Sequence, residues 1–258
     1  MIVKDRRRYI ERAIMSQASV STIELARALH VSAETIRRDL ILLEELGVVR
    51  RVYGGAVAPS RNRSDEAPFA QRAAIHAQAK AAIGGAASRL VEPGQSVFVD
   101  VGTTCQAVAR ALGVAFRGTV VSHSLLVAAE LAEAAEVEVL LAPGRLRRGE
   151  WSLTGTVTHR FLQSMHFDIA VLSCGGVDAA AGITDFNLED TQIKQAVARN
   201  SRRAVVVADS SKHGVVGRYT VADWYDVSGM VTDQEPPDGL ARAIRAAGGS
   251  VVCPTAAG

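Results

Sequence analysis

Arg37 and Arg38 stand side by side in the string Ser32-Ala-Glu-Thr-Ile-Arg-Arg-Asp-Leu40. Their guanidinium groups could donate to guanine O6/N7 or to phosphate oxygens, and Thr35 could reach a phosphate or a thymine methyl. Ser32 is a good N-cap, and the helix start it opens attracts anions. If Ile36, Leu40 and Leu43 face inward, the helical rotation turns Glu34, Arg38 and Ile41 outward, with Thr35 and Arg37 on the flanks. Arg50 and Arg51, just beyond this helix, and Arg6, Arg7 and Arg8, ahead of it, offer further phosphate contacts. The competing reading of each pair or run is a solvated surface charge.

A second set of polar residues gathers at the ends of apolar runs. Asp100-Val-Gly-Thr-Thr104 joins a strand to a helix, and Gly102, Thr103 and Thr104 with free helix N–H groups can cradle an anion. Ser122-His123-Ser124 and Ser173-Cys-Gly-Gly-Val-Asp178, which includes Gly176, lie at two more strand ends. An α/β sheet places its ligands at such ends. Asp209-Ser-Ser-Lys212 follows another strand and supplies a cation for a phosphate. A simple turn is the alternative for any one of these; together they favour a phosphorylated ligand.

The elements that must hold these groups follow from periodicity. Residues 5–17 form an amphipathic helix through Ile10 and Ile14, and Ser21-Thr-Ile-Glu24 is a capping box opening a short second helix. The helix after Ser32 ends at Gly47, and residues 48–57 form a hairpin turning at Gly54-Gly55. Three helices and a hairpin make a winged helix-turn-helix. Residues 59–68, polar and proline-flanked, read as a linker. Residues 69–90 read as one connecting helix. Strands follow at 96–100, 119–122, 137–141, 169–173, 204–208 and 227–231, and helices at 103–112, 124–134, 155–163, 188–200 and 239–247. Continuous apolar strands separated by helices predict a mostly parallel sheet covered on both faces. The expected fold class is therefore an α+β winged helix-turn-helix head followed by an α/β domain.

Bulk properties agree. Residues 1–63 carry twelve basic and seven acidic side chains, while the rest of the 258-residue chain carries seventeen and twenty. A basic head on a mildly acidic body suits a polyanion at one end. No apolar run approaches the roughly 20 residues of a membrane span, and no signal-peptide core follows the basic start. Cys105, Cys174 and Cys253 lack paired metal-ligand spacing, as do His159, His166 and His213, so neither a metal nor a cofactor is expected. Cys105, just inside a helix start, reads as a core filler before a reactive thiol. A cytoplasmic protein is the expectation.

The string LARALHVSAETIRRDLILLEELGVVRRVYGGAV resembles the N-terminal signature of the DeoR family of bacterial regulators. The strings DVGTT, FDIAVLSCGGVD, GITDFNLEDTQIK and ADSSKHG resemble that family's sensor domain. The resemblance implies a fold similar to ribose-5-phosphate isomerase for the second domain and a phosphorylated sugar as effector. It implies a repressor reading a double-stranded DNA operator as a homodimer or homotetramer. It divides the chain into a head at 1–58, a linker at 59–73 and a sensor domain at 74–258. Carried over by motif, Asp100, Gly102, Thr103, Thr104, Gly176, Lys194 and Lys212 become effector contacts, beside Ser122, His123 and Asp178. Two departures bear on specificity: Ser122-His123 stands where the family has Thr-Asn, and Pro143-Gly144 where it has Gly-Gly. Arg145, Arg147 and Arg148 read as a solvated loop, with an anion contact as the alternative. Trp151 either covers the pocket or packs. Asp185 and Glu189 invite a carboxylate pair that nothing in the sequence brings together. The rival function is a sugar-phosphate isomerase-like enzyme with a DNA-binding head, for which Asp100 or Asp178 would be the base.

Overall fold

The structure, a computed structural model, describes residues 3–17, 19–45, 48–52, 54–57 and 69–254. The expected helix stop at Gly47 and the linker at 59–68 lie outside the described residues. The chain divides into two units, Met1–Arg63 and Ser64–Gly258.

In the first unit, α1 (Val3–Gln17) and β1 (Ser19–Ser21) precede α2 (Thr22–Ala28) and α3 (Ala33–Glu45); β2 (Arg50–Val52) and β3 (Gly55–Val57) close it. The three strands form an antiparallel sheet in the order β1-β3-β2. Ile10 and Ile14 of α1, Leu25 of α2, and Ile36, Leu40 and Leu43 of α3 meet in one core with Val49 and Ala56. The 3.6-residue stripe on each helix dictates this convergence. Ser21 caps α2, but it accepts from Ile23 N at 3.2 Å rather than from Glu24. The bond is that of a simple cap, and no reciprocal Glu24 bond is present among the described residues. Ser32 accepts from Thr35 N at 3.1 Å and caps α3 as its sequence predicts.

The phosphate role expected of the α1 arginines is overturned for Arg6. Arg6 Nε and Arg7 Nε donate to the two oxygens of Asp39 at 2.5 and 2.8 Å, and Asp39 is buried on α3. Arg6 is itself buried. An internal carboxylate needs charged donors; Arg6 is consumed in supplying one, while Arg7 keeps part of its guanidinium at the surface. Arg8 stays exposed.

The second unit begins with α4 (Phe69–Ala74) and α5 (Ala77–Ser88), not with the single helix expected over 69–90. His76, in the left-handed region at φ 55°, breaks it. Then come β4 (Ser96–Val99), α6 (Thr103–Ala115), β5 (Gly118–Ser122), α7 (Leu125–Leu131) and β6 (Val137–Leu141). A hairpin, β7 (Arg145–Arg147) and β8 (Ser152–Thr154), leads to α8 (Thr156–Gln163), β9 (Phe167–Leu172), β10 (Gly176–Asp178) and β11 (Gly182–Asp185). The chain continues through α9 (Leu188–Arg199), β12 (Ser201–Val207), β13 (Tyr219–Ala222), β14 (Gly229–Val231), α10 (Asp238–Ala246) and β15 (Ser250–Val252).

Seven strands form a wholly parallel sheet in the order β15-β14-β12-β9-β4-β5-β6. Alternation along each strand feeds two cores. Val97 and Val99 of β4 join one with α5 and α6, whereas Phe98 joins the other with Leu162 of α8 and Ile193 of α9. From β4 the strand order runs one way to β6; from β9 it runs the other way to β15. The sheet's topological switch point therefore lies between β4 and β9, where doubly wound folds open a crevice at the carboxyl ends of their strands. Residues 145–148, expected as a loop, include the strand β7. Its partner β8 is reached by Arg145↔Thr154 and Arg147↔Ser152 pairing.

Candidate functional site

On the head, α3 presents Glu34, Arg37 and Arg38 to solvent, with Ile41 also exposed. Glu34 reaches both arginines, at 3.3 Å to Arg37 Nη1 and 3.6 Å to Arg38 Nε. These three side chains are exposed, so the pairs are weak and can be exchanged for other acceptors. Thr35 is held by Ser32, hydroxyl to hydroxyl at 2.8 Å. Arg51 lies on β2, its backbone N–H bonded to Glu44 Oε1 at 2.7 Å. Arg50 is on the same strand, and its side chain lies outside the described residues.

In the second unit the switch point is occupied by charge. Asp100 follows β4, Ser173 follows β9, and Ser173 donates to Asp100 Oδ2 from its N–H at 2.9 Å and its hydroxyl at 2.7 Å. Lys194, from α9, reaches the same carboxylate at 3.3 Å, the Ser173 hydroxyl at 3.1 Å, and Asp185 at the end of β11 in a short ion pair. His123, after β5, brings Nε2 to 3.2 Å from Asp100 Oδ1 and Nδ1 to 2.9 Å from the Leu153 carbonyl. Asp100, His123 and Lys194 are at most 2% exposed.

Burial pushes the Asp100 carboxyl up, but the Lys194 ammonium and the His123 and Ser173 bonds outweigh it and hold it far below the usual carboxylate range. Burial likewise pushes the Lys194 ammonium down, and Asp100, Asp185 and Asp190 outweigh that, raising it well above its ordinary value. Both ring nitrogens of His123 lie against oxygens of the protein, the Asp100 carboxylate and the Leu153 carbonyl. Its polar atoms are thus committed to the protein. In this structure His123 ties Asp100 to β8 and stacks on Phe98, with centroids 6.0 Å apart.

The remaining expected residues fall around this cluster or away from it. Gly102 caps α6 at φ +100°, a conformation that side chains resist, and Thr103 and Thr104, both buried, open that helix. Gly176 lets the chain cross closely: a Cβ there would lie 2.3 Å from the Val215 carbonyl oxygen. The hydroxyl of Ser122 accepts from Ser124 N at 3.0 Å and shapes the strand end. Asp178 accepts from Ala180 N and Ala181 N and closes the β10–β11 turn, so its carboxylate serves the hairpin. Lys212 lies close enough to Asp209 to help lower its carboxyl against burial. Trp151 is half exposed. Burial pushes the Cys105 thiol well above its ordinary value and Cys174 to about 12, which suits fillers. Among the described residues no cluster has the makings of a metal site.

Asp190 and Arg72 are not singled out by the sequence. Ser173 is there only as the start of a strand-end motif, Arg147 as part of a loop, and Asp185 as a pair with Glu189, whereas the structure pairs it with Lys194. Arg147 ion-pairs with Asp190 on α9, Arg145 with Glu189 at 2.9 Å, and Arg72 of α4 with Glu150. The i, i+4 spacing of Asp190 and Lys194 was the available signal; it places both on one helix face. A groove of about 470 Å³ at the other end of the strands holds Asp168, Arg199 and Arg202, away from this cluster.

The DeoR C terminal sensor domain matches residues 75–234, and the DeoR-like helix-turn-helix domain matches residues 6–62. The chain belongs to the DeoR family. Among its relatives is the glycerol-3-phosphate regulon repressor of Escherichia coli (strain K12), 32% identical over 87% of this chain and 88% of that one. The putative aga operon transcriptional repressor of Escherichia coli O157:H7 is 30% identical over 96% and 93%. Among solved structures, ribose 5-phosphate isomerase A from Neisseria gonorrhoeae overlaps 52% of each chain at 19% identity and a TM-score of 0.38. As a DeoR-family member the chain is a DNA-binding transcriptional regulator. No helix among its described residues is long and apolar enough to cross a membrane.

Proposed function

We propose that this chain represses carbohydrate-metabolism genes, and that a phosphorylated sugar bound at the carboxyl ends of β4, β5, β9 and β12 sets its operator affinity. One observation carries the reading. The switch point holds a prearranged charged cluster, and it is flanked by the N-terminus of α6 and by the Lys212 segment. That combination suits a ligand with an anionic end. The relatives named for glycerol-3-phosphate and aga regulation support a sugar-derived effector. The roles of Ser32, Glu34, Thr35, Arg37, Arg38, Arg50 and Arg51 in operator contact, the boundaries at 58 and 73, and the homodimer or homotetramer belong to the same proposal. A palindromic operator would need two heads one helical turn apart.

The geometry speaks for a sensor over an isomerase. A general base works best when its pKa lies near the working pH, and a carboxylate held far below that is a weak base. Asp100 is held low by Lys194, His123 and Ser173, and Asp178 is engaged in its own turn.

Two measurements test the proposal. Lys212→Ala removes the cation beside Asp209 and should abolish the effector's influence on operator binding while leaving effector-free binding intact. A full response in a gel-shift titration would remove Lys212 from the site. Arg38→Ala should weaken specific operator binding by about 1–3 kcal/mol, with relaxed preference at one base position. Unchanged affinity by fluorescence anisotropy would mean that α3 enters the groove on another face.

A further inference from the structure

Three buried side-chain oxygens lack a hydrogen-bond partner among the described residues: Ser152 Oγ, Thr154 Oγ1 and Asp190 Oδ1. Their residues are 0%, 1% and 4% exposed, so open solvent does not serve them. Leaving such groups dry costs on the order of 1–3 kcal/mol each, which makes three in one region unusual.

Register places the two hydroxyls on one face, and the Arg147 ion pair ties that hairpin to Asp190. Ser152 and Thr154 are two apart on β8 and point to the same face of the hairpin; Arg147 stands opposite Ser152 on that face. Arg147 is ion-paired to Asp190 through Oδ2, which leaves Oδ1 of the same carboxylate unused. Asp190 in turn sits one helical turn before Lys194, whose ammonium contacts Asp100. On its other side β8 is fixed to the cluster by Leu153, whose N–H donates to the His123 carbonyl at 2.7 Å. The unused oxygens therefore border the charged switch point.

Their chemistry selects a ligand class. A carboxylate oxygen only accepts, whereas two hydroxyls can each donate and accept. An anion would be repelled by Asp190, and an apolar group would leave all three unpaired. A run of neutral hydroxyls fits: one donates to Asp190 Oδ1 and accepts from a serine or threonine. We propose that Asp190, Ser152 and Thr154 form a polyol subsite that takes the hydroxylated carbon chain of the effector. This rests on the sugar-phosphate reading and adds where the non-ionic end goes. The upward push of burial on the Asp190 carboxyl, which Lys194, His123 and Arg147 only partly oppose, agrees with a carboxylate short of one donor.

The test uses the full chain and isothermal titration with inorganic phosphate and a panel of phosphorylated three- to six-carbon sugars and polyols. The wild-type chain should bind at least one panel member more than tenfold tighter than inorganic phosphate. Asp190→Asn should erase that advantage by tenfold or more while changing the affinity for inorganic phosphate less than twofold. The double variant Ser152→Ala with Thr154→Val removes both hydroxyls without touching the Arg147 pair, and should weaken the sugar phosphate in the same selective way. Unchanged sugar-phosphate affinity in both variants overturns the subsite, and so does equal binding of phosphate and every panel member by the wild type. Those results leave the anion site standing. Failure of the wild type to bind any phosphate compound overturns the sugar-phosphate reading itself.

Discussion

Replacing Lys194 with methionine is expected to lower the melting temperature of the second unit by about 6–20 °C. The ammonium is buried and sits between Asp100 and Asp185, with Asp190 a turn away. Methionine fills a similar volume, so the loss is one of charge and not of packing. Removing one partner of a buried pair costs on the order of 3–5 kcal/mol, because the other charge is left without compensation. Each kcal/mol moves the midpoint of a domain this size by about 2–4 °C. Adding Asp185→Asn to the variant should recover part of the loss, since the two residues share the interaction. A shift below about 1 °C by calorimetry would mean that the cluster is hydrated and not dry.

The same pairing has a pH signature with two edges. Asp100 is depressed on folding, so its contribution is full above the unfolded carboxylate value of about 3.9. It is lost only as pH falls through the much lower folded value. Lys194 is raised on folding, so its contribution is full below about 10.4 and is lost as pH climbs through a higher value. Between roughly pH 5 and 10 the contributions of Asp100 and Lys194 should be flat.

Asp39→Ala is expected to destabilise the head by about 3–5 kcal/mol, enough to unfold a unit of this size at ambient temperature. Arg6 would then be buried without a counter-charge, and Arg7 would lose its partner. Helical circular dichroism and proteolysis of residues 1–63 in the intact chain would report the loss while the parallel-sheet unit stays folded. Burial pushes the Asp39 carboxyl up, but the two arginines prevail and hold it low. The head should therefore weaken only as pH falls below the ordinary carboxylate range. An Asp39→Ala head as resistant as the wild type would show that α1 and α3 are held by their apolar seam alone.

Much of this architecture is legible in the sequence because it is local. The stripes of Ile10 and Ile14, and of Ile36, Leu40 and Leu43, converge on one core as their spacing demands. The Val- and Ala-rich runs at 97–99, 169–172 and 204–207 become adjacent parallel strands. What escapes is short or distant. The three-residue strands β1, β7, β8 and β10 are too brief to show a period. The break at His76 has neither glycine nor proline to mark it. Asp39 is separated from its arginines by more than thirty residues, so nothing nearby distinguishes Arg6 from a solvated charge. For the candidate site, a strand-end motif points to Asp100, and the family resemblance to Lys194. Ser173 and Asp190 depend on how β4, β9 and the β7–β8 hairpin come together. His123 stands out in the sequence as a departure, and the structure turns it from a free side chain into a tether.

The engagement of Arg6 and Arg7 also governs how the head would respond to ionic strength. Each cation that docks on a DNA phosphate releases about 0.9 condensed counterion, and the logarithm of affinity falls with the logarithm of salt in proportion. Asp39 carries one negative charge and so cancels one of the two cations; the buried Arg6 releases none. Per bound head, roughly one fewer ion would be set free than the count of basic residues suggests. Operator affinity would then fall less steeply with salt than that of a head whose arginines all face the duplex.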